Sequence, residues 1–312
     1  MTGWIFESLT LAKNDAAPQA CEDRVLVLPP DFAAVIDGAT DISGERYGGR
    51  TGGALAAEAI AAVFTQAWSA CRQGGTDTFA TAADALALAD GAIAALYARF
   101  GLSDVVLDPA RRFRAAFAVA SRRGGFWRGV GVGDCALRID DAQPVLRDHP
   151  AEAVFAAWRA AMIAADAARP EAAIRAALVG GWAQADPAAR KAADGIAFAD
   201  PVFARGALST GLAGMRAARP GDALAFGVAD GVGDMGHDFC WQVLSPDTEA
   251  QALALWTDGW LSPGGQTIES WLTAADATHA EDPRRIGKYR CVKGPQACGR
   301  HDDMGIVLIR RV

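Results

Sequence analysis

The chain has 312 residues, 51% hydrophobic and 21% charged, with a formal net charge of -7 and a pI near 5.2. That balance supplies apolar material for one large core and excludes extensive disorder. An acidic chain gains nothing from counterion release on nucleic acid, so DNA and RNA are poor partners.

Met1 to Thr10 lacks a basic region followed by a long apolar one, and no run of about 18 uninterrupted apolar residues occurs. A soluble, cytoplasmic protein with no signal peptide and no membrane span is expected. Two short apolar runs, Arg24 to Leu28 and Phe32 to Ile36, are ended by Pro29-Pro30 and by Asp37-Gly38, and predict adjacent strands. Ile42 to Gly53 holds five glycines and reads as a loop. Ala-rich helices are predicted over Ala54 to Ala70 and Thr78 to Phe100. Strands follow at Phe113 to Ser121, Phe126 to Val132 and Cys135 to Asp140. Helical periodicity resumes over Ala151 to Ala168 and Glu171 to Trp182, and Ala183 to Gly195 reads as a loop with a frayed helix. Three further strands are expected, Ala223 to Val228, Phe239 to Leu244 and Ala250 to Thr257. A helix at Thr267 to Ala277, a polar loop at Glu281 to Arg300 and a strand at Gly305 to Arg310 close the chain. Strands and helices come in clusters rather than strict alternation, which favours an α+β layered fold. No repeat or flexible linker divides the chain, so residues 1–312 read as one domain, with Asp141 to Gly206 as a helical elaboration.

Six scattered cysteines form no C-x-x-C pair, so they read as isolated reduced thiols rather than a zinc or redox site. The four histidines show no metal spacing; His301, beside Asp302, reads as a loop residue in preference to a general acid.

The aspartates carry the chemical signal. Asp37 follows FAAVI and precedes Gly38; Asp258 follows ALALWT and precedes Gly259. Asp134 lies between two predicted strands, Asp302 and Asp303 precede the last one, and Glu22-Asp23 precedes the first. Carboxylates at strand ends converge at a sheet rim, where their mutual repulsion is relieved by a divalent cation. An all-oxygen site suits magnesium or manganese. Taken singly, each Asp-Gly is an ordinary turn; the order of the set makes it specific.

That order resembles the type-2C (PPM) metal-dependent serine/threonine protein phosphatases. The resemblance runs from residue 10 to 310 through Glu22-Asp23, VIDGATDISGERYGGRTGGALAAEAI, FAVASRRGGFWRGVGVGDCALRI, LALWTDGW and RHDDMGIVLI. It implies a four-layer α/β/β/α sandwich with two central, mainly antiparallel sheets and two metals at one edge, manganese or magnesium. By the same resemblance Asp37 would bridge the metals and Gly38 would offer its carbonyl. Asp258 and Asp302 would bind the second metal, Asp23 would act directly or through water, and Asp134 would hold a weaker third ion. Catalysis would run through water activated at Asp37 and Asp258, on a phosphorylated protein substrate, by a monomer. The family's upstream phosphate-gripping arginine is missing; Lys13 is the nearest substitute, binding as a point charge. Gly133-Asp134 is followed by Cys135-Ala136 where the family often has Ser-Arg. A second segment, LAFGVADGVGD around Asp230, also matches the Thr-Asp-Gly motif, but it lacks the threonine, so Asp258 is preferred. The competing functions are a phosphatase for small phosphoesters and a catalytically weak partner-binding module.

Overall fold

In the computed structural model, which describes residues 3–39, 42, 44–233 and 237–312, the chain opens with a strand that its sequence pattern conceals. This is β1, Trp4–Leu11, whose alternation is blurred because it is half-exposed at a sheet edge. The predicted pair follows as β2, Arg24–Leu28, and β3, Phe32–Gly38. Ser43 of the predicted loop lies outside the described residues, as do Met1, Thr2, Thr40, Asp41 and Asp234 to Gly236. The two Ala-rich helices are α1, Gly52–Arg72, and α2, Ala82–Phe100, each started by a threonine hydroxyl that accepts a backbone N–H. A short helix, α3, spans Ser103–Leu107. Then come β4, Ala115–Arg123, β5, Phe126–Val132, and β6, Ala136–Ile139.

The elaboration extends further than the sequence predicts. It comprises α4, Pro150–Ala165, α5, Glu171–Gly180, α6, Pro187–Asp194, and α7, Pro201–Ala217. Helices α6 and α7 each begin with an aspartate cap followed by proline, at Asp186-Pro187 and Asp200-Pro201. The strand predicted at Ala223 to Val228 does not form. Leu224 and Phe226 pack on the helical core, Ala225 closes a turn onto Asp222, and only Ala229 bridges to Ala115. The chain closes with β7, Cys240–Pro246, β8, Ala252–Trp256, α8, Ile268–Glu281, and β9, Met304–Arg311.

Two antiparallel sheets result, ordered β2-β3-β4-β5-β7 and β1-β9-β8-β6. Strand β3 shows why its sequence is a continuous apolar run. Phe32, Ala34 and Ile36 face the core beneath α1 and α2, while Ala33 and Val35 face the second sheet. A strand covered on both faces needs no polar alternation. By length and composition α1 is apolar enough to cross a membrane, yet Ile60, Phe64 and Trp68 on it are buried against the first sheet. On the far side α8 covers the second sheet through Trp271, whose ring lies 5.1 Å from Trp256 and 5.5 Å from Trp260. The layers are therefore helix, sheet, sheet, helix. Helices α4–α7 build a separate core around Phe155, Trp158 and Leu208.

Candidate metal centre

Antiparallel pairing fixes which strand ends share a rim. Arg24, at the start of β2, pairs with Ile36 near the end of β3, and Asp37 itself pairs with Ala116. The end of β5 lies beside the start of β4, through Val132 and Phe117. In the second sheet Trp256, ending β8, pairs with Ile306 near the start of β9 and with Ala136 at the start of β6. Residues 23, 37, 134, 258 and 302 therefore emerge at one edge of the sandwich. Glycine is needed there: a Cβ on Gly38 would fall 2.4 Å from the Gly53 carbonyl oxygen, and one on Gly259 would fall 2.0 Å from that of Asp303.

The carboxylates feel one another. Burial, followed by Asp258, Asp23, Asp134 and Asp302, pushes Asp37 well above the usual carboxylate range. Burial and then Asp302 raise Asp258 to about 6, against the pull of Lys293 and a hydrogen bond with Asp37. Burial and then Asp258 raise Asp134 to about 7. Asp258 Oδ1 is buried with no hydrogen-bond partner. An acceptor oxygen in that condition costs free energy unless a cation meets it.

The remaining acids are anchored. Asp23 Oδ2 accepts the Thr257 hydroxyl at 2.7 Å, and that hydroxyl accepts the Gly305 N–H at 2.8 Å. Asp23 is 2% exposed and its charge acts on Asp37. Asp303 accepts the backbone N–H groups of Lys13 and Glu22 at 2.7 and 2.8 Å, which joins three segments distant in sequence. Asp302 pairs with Lys293 and lies 3.5 Å from the Lys13 ammonium. Burial alone would raise Asp302, but Lys293 and then Lys13 bring it down to about 2. Lys13 is also 3.1 Å from Glu22 and 3.5 Å from Asp303, so its ammonium is shared among three carboxylates. Among the described residues no three carboxylate, histidine or cysteine side chains close on one point as a preformed ligand shell. Lysine ammonium and threonine hydroxyl groups take up the oxygens that a shell would use.

Three participants were missed in the sequence. Glu152, in the first turn of α4, is pushed well up by burial, then by Asp134 and Asp258. Lys293, in the loop before β9, lies in the field of Asp302, Asp258 and Asp37. Thr257 fastens Asp23. Only Thr257 had a signal, its place in the Thr-Asp-Gly triplet. His301 is buried, and burial lowers it to about 4, so it is neutral at ordinary pH. Asp230 is remote from this group: its Oδ2 pairs with Arg112 at 2.9 Å, and its Oδ1 accepts the Val232 N–H at 2.9 Å. All six cysteines are free thiols.

The donor set fits divalent cations. It is all oxygen, and it includes a buried carboxylate oxygen without a partner beside a second carboxyl group from the other sheet. The side chains that could hold such ions are Asp37, Asp258, Asp134 and Glu152, with the Gly38 carbonyl at the same strand end, while Asp302 is paired with Lys293.

No protein-family model matches the chain, and neither does any curated protein. Among solved structures it is similar to the catalytic domain of the serine/threonine protein phosphatase PstP in complex with two manganese ions. Identity is 14%, coverage is 100% of each chain and the TM-score is 0.48. It is also similar to the serine/threonine phosphatase Stp1 from Staphylococcus aureus, at 12% identity, 99% and 95% coverage and a TM-score of 0.49. A third is PppA, a regulatory component of the type VI secretion system in Pseudomonas aeruginosa, at 12% identity, complete coverage of both chains and a TM-score of 0.45.

Proposed function

We propose that this chain is a metal-dependent phosphatase that hydrolyses phosphoserine and phosphothreonine in proteins. The observation that carries the reading is the meeting of Asp37 and Asp258, from the two different sheets, with one Asp258 oxygen buried and unpartnered. Structural surface charge does not account for it, because ionised carboxylates in contact destabilise a fold. Manganese or magnesium bound there would supply an acidified water as nucleophile and offset charge on the phosphoryl oxygens.

The chain's own groups have distinct parts. Asp37 and Asp258 are the principal holders; Asp134 and Glu152 extend the acidic edge toward α4 and suit a weaker third ion. Asp302 is the holder whose charge is already countered by lysine. Asp23, fixed by Thr257, acts on the others through its charge or through water. Lys13 and Lys293 bring positive charge to the mouth of the cleft, where it attracts a phosphoryl dianion. Residues 1–312 act as one catalytic unit, a reading supported by the electrostatic coupling of Glu152, from the helical elaboration, to Asp134 and Asp258. The protein named PstP was solved with two manganese ions, which accords with two ions here.

The test is hydrolysis of a phosphothreonine peptide and of p-nitrophenyl phosphate by the purified protein. Turnover of both is expected with manganese or magnesium, is lost in excess chelator, and returns on adding metal. Robust turnover in chelator would overturn the reading, and turnover of the small ester alone would favour a small-molecule substrate.

A further inference from the structure

Lys293 lies where its sequence neighbourhood, a polar loop, gives no hint of a role. Residues 282–303 form an irregular strap between α8 and β9, and both ends of it are fastened. At the first end the Asp282 carboxylate accepts the N–H groups of Ile286, Gly287 and Tyr289 at 2.8 to 3.0 Å. Arg159 of α4, 2% exposed, donates to the carbonyls of Arg284 and Arg285, each at 3.1 Å. At the second end Arg300 Nε donates to the Ala12 carbonyl at 2.7 Å, and the Cys298 thiol to that of Lys13 at 3.1 Å.

Between these anchors the strap runs over the helical elaboration. Ile286 and Val292 pack on its core, and Gly294 passes so close to Arg159 that a Cβ there would fall 2.4 Å from the guanidinium. The residues on either side of Lys293 are thus held by α4–α7. Its ammonium pairs with Asp302, and its side chain keeps 41% exposure. The field it feels comes first from Asp302, then from Asp258 and Asp37, and it acts in turn on Asp134 and Glu152. The other lysine nearby, Lys13, is shared among Glu22, Asp302 and Asp303. Of these two lysines, Lys293 acts the more strongly on Asp258 and Asp302.

We propose that Lys293 is a tethered counter-cation of the carboxylate centre, which a divalent cation has to displace from Asp302 before the site fills. This inference rests on the reading of that centre as a metal site. A fixed ammonium neutralises the acidic rim in the metal-free protein and competes with metal for the same oxygens. The helical elaboration, by gripping the strap, sets how strongly it competes.

Manganese titration calorimetry on wild type, Lys293→Met and Lys293→Arg tests this. The methionine variant should bind manganese at least about tenfold more tightly, since a like charge a few ångströms from a bound ion is costly even in a polar site. The arginine variant should stay near wild type. The methionine variant should also melt lower without metal, a change that a purely structural salt bridge would produce with no gain in affinity. Where that variant does not fold metal-free, Lys293→Gln takes its place. Equal or weaker manganese binding on removal of the charge overturns the role of Lys293 alone. Absence of manganese binding by wild type and variants alike overturns the metal reading, and this inference with it.

Discussion

Two Asp-Gly turns follow apolar runs in the second half of the chain, and their surroundings have opposite electrical character. Asp230 has both oxygens met, one by Arg112 at 2.9 Å and the other by the N–H groups of Val232 and Gly233 at 2.9 and 3.3 Å. The N–H groups of residues 230 and 231 are taken by Asp90, and the Asp230 carbonyl by Tyr97. Asp258 faces Asp37, feels Asp302 and leaves one oxygen unmet. The first turn is a finished piece of structure. The second leaves one oxygen unmet among other buried carboxylates, which is the setting that a cation would relieve. What separates a turn from a candidate centre is whether both carboxylate oxygens are met and how many other acids crowd them, not the local motif.

The largest effect should come from Asp37→Asn. Turnover should drop by more than about a hundredfold, as loss of a principal metal holder implies. Metal-free thermal stability should hold or rise, because one member of a repelling set is neutralised. A stable variant with near-normal turnover would remove the distinction between the two turns.

A matched pair sharpens it. Asp258→Asn should lose turnover and keep its melting temperature. Asp230→Asn should keep turnover within a few-fold but lose some stability, since it removes the buried carboxylate that meets Arg112 at 2.9 Å. The reverse pattern would move the functional carboxylate to Asp230.

The pH dependence of metal-free stability should be smaller but diagnostic. Asp258 and Asp134 hold their protons to about 6 and about 7 in the fold, whereas the unfolded chain releases them near the ordinary carboxylate value. Between that value and 7 the folded state binds more protons, so stability should fall as pH rises across this window. Asp302, lowered to about 2, acts the other way: its stabilisation is complete across this window and is lost only as pH falls below the ordinary carboxylate value. Melting scans from about pH 4.5 to 7.5 should show the decline, and manganese should flatten it. A rise in metal-free melting temperature across the window would contradict the crowded-carboxylate account.

The smallest effect is expected from replacing all six cysteines by serine or alanine. Manganese binding should persist, with a stability cost confined to buried Cys21, Cys71 and Cys135. Loss of a bound zinc in that variant would show a thiol site.

The layered fold was legible because its central strands are covered on both faces and its Asp-Gly turns punctuate them. Strand β1 was hidden by Glu7, Ser8 and Thr10 on a half-exposed edge, and α7 by Gly206, Gly211 and Gly214, which lower helix propensity. Ala223 to Val228 looked like a strand because it is apolar, but its side chains are claimed by the helical core. At the site, residues placed by a strand end could be read from the chain order. Glu152 and Lys293 could not, because they reach the rim through the packing of α4 and of the strap, long-range contacts with no local signature.

The central claim is that Asp37 and Asp258 jointly hold divalent cations. Its most direct test is manganese titration of the metal-free protein by calorimetry, run beside Asp258→Asn and Asp230→Asn. The account predicts saturable manganese binding by wild type, on the all-carboxylate donor rule. It also predicts binding weakened by at least about tenfold in Asp258→Asn and an unchanged isotherm in Asp230→Asn. Equal manganese binding by all three proteins, or none by wild type, would contradict it.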